Sequence, residues 1–447
     1  MVSITAERGG GDMSPAAWWR WLFAQGVPRF VLRNQARRGD PFARLIAGEE
    51  GIGDPYSLIE QLRGDRPLVR TPLTWASFDH ELVRAILRDN RFGVQSPQHF
   101  VPFEAVRSVM PTSPLPPSPV EPPSMLVIDP PEHTAMRKPV AAAFTPRAVG
   151  RLRDRIAEVT TELLDGLPSG GSADLVAAYS AQVPIAIISE MLGFPYSDRD
   201  MFLDWGDLMS PLLDLGISWR VQRRANRAMH RMNDYLDDHI ATLRRAPGED
   251  ILSSLVSAGE LDHDALKATA SLLMGAGFET TVNLISNGVV QLLAHPEQLA
   301  RLRAEPDLWP NAVEEILRFD PPVQVTGRVA LTELELAGVP FRPGQAVTVS
   351  LAGANRDPKV FDDPQRFDIT RANAKDHLSF SSGIHVCLGA SLARMEGVYA
   401  LRALFERFPG LSLAEPPSRR ELFTLHGYRR LPVRLGTRAP AGQTSLA

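Results

Sequence analysis

The chain holds one cysteine, Cys387, in 447 residues, so it can close no intrachain disulfide. Disulfide frameworks and the secreted scaffolds that depend on them are thereby excluded, and a cytoplasmic location is expected. An excess of one charge is also missing. The 48 Lys and Arg stand against 52 Asp and Glu, a formal −4, which leaves no electrostatic footprint for nucleic acid. No repeat, basic tail or acidic block occurs. Near the N-terminus no apolar run is long enough to cross a bilayer, because Pro15, Arg20, Pro28 and Arg29 interrupt every span. Glu7, Asp12 and the lack of a basic start argue against a secretory signal.

What is present is ordinary globular text, 44% hydrophobic and 22% charged, whose length alone suggests about two or three domains. The N-terminal segment is unusual: Trp18, Trp19, Trp21, Leu22, Phe23, Phe30, Val31 and Leu32 interleave with Arg20, Arg29, Arg33, Arg37 and Arg38. Such a segment can rest on a membrane surface or pack on the body as an amphipathic element, and the packed reading is preferred.

Helical spacing dominates the middle of the chain. Leu152, Ile156, Val159 and Leu163 share a face, and Leu167-Pro168-Ser169-Gly170-Gly171 stops that helix. A further run ends at Gly193 and Pro195, and another opens with the capping pattern Ser197-x-x-Asp200. From 264 to 294 no proline intervenes, so one helix of about 46 Å is expected to cross the domain. Strand text is sparse, around 329–336 and 346–351 on either side of Pro343-Gly344, which predicts a small antiparallel sheet. Seven prolines between Pro111 and Pro123 mark a long surface loop.

The cysteine lies in Phe380-Ser-Ser-Gly383-Ile-His385-Val-Cys387-Leu-Gly389, at the start of a helical stripe through Leu388, Leu392, Met395 and Tyr399. Unpaired N–H groups at a helix start favour a thiolate, and Gly383 and Gly389 let the backbone turn and approach a flat object. Four readings compete: a small buried hydrophobe, a zinc ligand, a Cys/His hydrolase nucleophile, and a thiolate ligand to haem iron. Zinc lacks a second thiol or a His pair, and neighbours two residues apart suit a general base poorly. Covalent c-type haem is excluded, since Cys-x-x-Cys-His is absent.

This stretch resembles the haem-binding loop of cytochromes P450, Phe-x-x-Gly-x-Arg/His-x-Cys-x-Gly, with Ser381 where the family often has glycine. Three more constellations agree in order. Glu315-x-x-Arg318 precedes the cysteine and is followed by Pro364-Gln365-Arg366-Phe367; it resembles the family's Glu-x-x-Arg helix and meander, in which Arg366 is expected to join the pair. "GAGFETT", residues 275–281, begins like a dinucleotide loop but has Thr280 in place of the third glycine. A close helix crossing accounts for Gly275 and Gly277, though not for Glu279-Thr280. The stretch resembles the motif in which a helix opens locally over haem, with Ala276 against the cofactor and Glu279 and Thr280 managing protons for dioxygen. Asp129-Pro130-Pro131-Glu132-His133, with Arg137 one turn on, resembles the helix that holds haem propionates; Arg328 and His385 match further partners.

The resemblance spans residues 50 to 437 and implies one mainly α (α+β) haem domain, 46–447, with a small antiparallel β-sheet lobe, after an N-terminal extension, 1–45. It implies haem b on Cys387, dioxygen as co-substrate, and monooxygenation of a lipophilic small molecule. Electrons would come from NAD(P)H through a separate ferredoxin and its reductase, since no dinucleotide fingerprint follows. Phe100, Phe103, Leu273, Val323 and Val325 are the expected substrate contacts, with core packing as the competing account of each. A non-catalytic haem sensor or carrier and a peroxide-driven haem enzyme are the alternatives.

Overall fold

The computed structural model describes residues 15–47, 55–64, 66–94 and 118–440. The helices that matter below are α1 (Pro15–Trp21), α2 (Val27–Arg37), α3 (His80–Arg88), α4 (Glu132–Ala141), α5 (Arg199–Met209), α6 (Trp219–Arg245), α7 (His263–Ala294), α8 (Trp309–Phe319) and α9 (Ala390–Arg407). One large core lies among the helices from residue 125 onward, with a smaller one beneath the sheet.

The sheet joins β1 (Val69–Arg70), β2 (Trp75–Ser77), β3 (Phe92–Val94), β4 (Val325–Ala330) and β5 (Ala346–Ser350) in the order β1-β2-β5-β4-β3. Three of its pairings are antiparallel, as expected, but β2 runs parallel to β5, with Trp75 opposite Val347. The sheet is therefore mixed: β2 reaches β5 from a distant part of the chain, so no hairpin sets their direction. On the other edge Val94 pairs with Arg328, which fixes where that arginine stands.

Helix α7 starts where Asp262 accepts a hydrogen bond from the Ala265 N–H at 2.8 Å, and it ends before Pro296. Its 32 residues are buried over most of the circumference, as a helix through the middle of a core must be. Glycine sets two close crossings: a Cβ on Gly277 would meet Ile188 at 2.9 Å, and one on Gly206 of α5 would meet Phe278 at 2.3 Å. Gly275 faces open space instead. Helix α7 stays α-helical through 275–281, so the expected local opening is absent. The Thr280 hydroxyl donates to the Ala276 carbonyl at 3.0 Å, a bond the unbroken helix permits. The Ser197-x-x-Asp200 cap does not form either; Ser197 donates to Asp198 at 3.0 Å and a short 3₁₀ turn leads into α5.

The inner side of α1 and α2 packs on the body. Leu32 and Ala36 meet Ala43, Leu73 and Leu215. Trp21 Nε1 donates to the Ile217 carbonyl at 3.0 Å, Gln25 Oε1 accepts from the Gly216 N–H at 2.6 Å, and Arg29 donates to the Gly216 carbonyl at 2.6 Å. Arg20 pairs with Glu121 at 2.6 Å. Among the described residues no helix is long and apolar enough to cross a membrane.

Candidate active site

The cysteine loop is closed by its own backbone: the Cys387 N–H donates to the Phe380 carbonyl at 2.8 Å, and that of Val386 to Gly383 at 3.1 Å. Gly383 has φ +74°, and a Cβ there would lie 2.4 Å from the Leu87 carbonyl of α3. Conformation and a protein neighbour therefore both demand glycine there. Ser381 also has positive φ, +62°, and its buried hydroxyl has no hydrogen-bond partner. Gly389 has ordinary φ, −84°, and caps α9. Open space surrounds its Cα, and its N–H bonds the sulfur. Phe380 lies under the Arg394 guanidinium, 4.5 Å from its ring centre.

Cys387 is accessible to solvent but deeply set. Burial pushes its thiol above the ordinary value; the Gly389 N–H, Arg137 and Arg394 oppose that shift. The helix-start argument therefore loses to desolvation in the protein alone. Among the described residues no group of three His, Cys, Asp or Glu could hold a metal ion, so zinc is not supported by them.

Around the loop stands a cationic and imidazole ring. Arg137 of α4 donates to the Val386 carbonyl at 2.5 Å. His133, one turn earlier, is buried and packs against His385 with ring centres 4.2 Å apart. The Nε2 atoms of both are buried without a hydrogen-bond partner. Burial, then the neighbouring His385 and Arg137, lowers His133 to about 4. Arg328 is buried and, among the described residues, donates within its own strand to Gly327 and Thr326; burial lowers it to about 10, with Asp129 opposing. Asp129 accepts from the Val94 N–H at 3.1 Å and lies 3.9 Å from His385 Nε2. The motif's spacing assigns Asp129 no role; its place immediately before Pro130-Pro131 is the only sequence signal for it.

Contacts between α7 and α9 relate this loop to the "GAGFETT" stretch. A Cβ on Gly397 would meet Leu284, one on Gly288 would meet Leu401, and Thr281 bonds the Glu396 carboxyl. In that register Ala276 and Thr280 fall toward the N-terminal end of α9, from which Cys387 hangs. Ala276 is exposed in mid-helix, and Gly275 borders open space. Glu279 is buried, 2.9 Å from Arg420, whose same nitrogen donates to Asp207 at 2.5 Å. Glu279 Oε1 thus has an ion pair with that nitrogen but no aligned hydrogen bond among the described residues. Burial raises the Glu279 carboxyl to about 7, against Arg420 and with Asp207.

Glu315 and Arg318 of α8 form a fully buried bidentate pair, 2.7 and 2.8 Å. The arginine that joins them is Arg371, 3.3 Å from Glu315, and not Arg366. Arg366 turns its side chain outward and offers its carbonyl to both Arg318 and Arg371. Of the expected substrate contacts, Leu273 is in the core and Val325 is buried at the start of β4, while Val323 bridges to Leu425. Phe100, Phe103 and most of the proline-rich loop lie outside the described residues.

One long helix threads the helical core, with a lone thiol in the loop before α9 and a buried acid along α7. The family model for cytochrome P450 matches residues 118–426. Cytochrome P450 140 of Mycobacterium tuberculosis is 45% identical over 424 residues, covering 93% of this chain and 97% of that protein. Vitamin D(3) 25-hydroxylase of Pseudonocardia autotrophica is 38% identical, covering 86% and 95%. The solved structure of ligand-free CYP164A2 from Mycobacterium smegmatis superposes with TM-score 0.79 at 32% identity, covering 88% of this chain and 99% of that one. The chain belongs to the cytochrome P450 family, whose members use haem and dioxygen, and it is a monooxygenase.

The residues fit such a group. Among the described residues His133 Nε2 is buried without a hydrogen-bond partner, and the buried Arg328 is bonded within its own strand, an arrangement that suits an anionic ligand.

Proposed function

We propose that this monooxygenase hydroxylates or epoxidises a lipophilic small molecule, with electrons passed from NAD(P)H through a reductase and a separate ferredoxin. When bound through Cys387, haem supplies dioxygen activation, because thiolate donation favours O–O cleavage. The family's own protein residues carry the rest. His133, Arg137, Arg328 and His385 would hold its carboxylates, and Gly275 and Ala276 would leave space over its face.

The observation that carries the reading is Glu279. A buried carboxyl raised to about 7 and paired with Arg420, which also bonds the half-exposed Asp207, can hold or give up a proton at neutral pH. Thr280, on the next position, both donates and accepts. A haem sensor or a peroxide-driven enzyme has no use for such a relay. Relatives named as hydroxylases support the reaction type. The exposed Arg84 and Arg88 of α3, beside Gly383, support docking of an acidic ferredoxin.

Purified holoenzyme with NADPH, ferredoxin and reductase should oxidise a lipophilic substrate, and Thr280→Ala should divert electrons to hydrogen peroxide. Unchanged coupling in Thr280→Ala, or equal turnover with peroxide alone, would overturn the relay.

A further inference from the structure

The outer flank of α1 and α2 is not used by the chemistry above. Phe30 is 74% exposed, Trp19 47%, and Trp18 and Val27 38% each. Trp18 meets Trp19 edge-on at 5.0 Å, and Trp19 stacks on Phe23 at 5.9 Å, so these three rings form one continuous strip. Phe30, Arg33 and Arg37 stand at i, i+3 and i+7, one side of α2, and both arginines are exposed, as is Arg38. Leu213, exposed as well, lies two residues before Leu215, which packs beneath α2.

We propose that this flank docks the protein on an anionic lipid bilayer. Tryptophan and phenylalanine rings partition into the headgroup boundary, and three arginines at the end of the strip complement anionic headgroups. An acidic protein partner would be served by the charge without an aromatic strip. A second copy of the chain would need roughly 800 Å² from each side, more than these few side chains offer. The same helices grip residues 216–217, between α5 and α6, so docking would set that connection at the lipid surface.

Full-length holoenzyme should co-sediment with mixed phosphatidylglycerol–phosphatidylcholine vesicles, with a blue shift in tryptophan emission, and release as salt rises. Phe30→Ser should weaken binding about tenfold or more. Arg33→Gln with Arg37→Gln should weaken it roughly fivefold per arginine. Both variants should unfold at the wild-type temperature and keep the carbonyl spectrum, since these side chains are exposed. Absence of vesicle binding would overturn the proposal, as would equal, salt-insensitive binding to phosphatidylcholine alone. A concentration-dependent dimer lost in Phe30→Ser, without vesicle binding, would assign the flank to a second copy. None of these outcomes depends on the oxidation chemistry.

Discussion

The carboxylate of Glu279 lies 2.9 Å from the Arg420 guanidinium, whose charge favours the ionised acid. Burial raises the Glu279 pKa most; Arg420 opposes that effect and Asp207 adds to it. The relay needs the protonated form to donate, so turnover should fall as pH rises through about 7. Arg420→Gln should move that fall to higher pH, and Asp207→Asn to lower pH. Steady-state product formation across pH checks both; shifts in one common direction would refute the assignment.

Arg371 and Arg366 should separate cleanly. Removing Arg371 leaves Glu315 buried with one partner fewer, and Arg371→Ala should cost about 3–5 kcal/mol. Arg366→Ala keeps the carbonyl that the network uses and should cost under about 1 kcal/mol. Denaturant midpoints at equal m-value decide the point.

Position 381 is a place where this chain carries strain. Ser381→Gly relieves a positive φ and removes a buried hydroxyl without a partner, so stability should rise by about 1 kcal/mol. Gly383→Ala meets the Leu87 carbonyl as well as the wrong φ, and should lose about 3 kcal/mol or more together with haem retention. Thermal unfolding with the reduced carbonyl spectrum reads both.

Glu396, buried against Thr281, is raised by burial from 4.5 to about 8. A carboxyl raised in the folded state gives its full stability below the unfolded value and loses it as pH climbs toward 8. Glu279 adds the same sign up to about 7. Wild type should therefore lose stability between pH 5 and 8.5, by an amount on the order of a few kcal/mol more than Glu396→Gln. Equal losses, measured by urea denaturation, would contradict the shift.

Arg88→Glu should raise the KM for an acidic ferredoxin about tenfold at low salt, with kcat nearly unchanged and the difference narrowing as salt is added. Cytochrome reduction by ferredoxin at two ionic strengths measures it.

Local pattern made the helices, the cysteine loop and the Glu315–Arg318 pair legible, because each depends on neighbours within one or two turns. What stayed hidden depends on distant chain. Arg371 rather than Arg366 meets Glu315 because the meander turns a carbonyl inward at 366, which no spacing encodes. Arg420, Asp207 and Glu396 sit far along the sequence from their partners, and Gly206 against Phe278 is a crossing between separate helices. The parallel β2–β5 pairing was lost the same way.

The Leu87 carbonyl admits no carbon at position 383, so α3 and the sulfur-bearing loop are wedged together as one stiff piece. A load placed on the outside of α3 is passed to Cys387 with little slack. Vibrational spectra of the bond that Cys387 would make to haem iron would then act as a strain gauge for whatever settles on that helix.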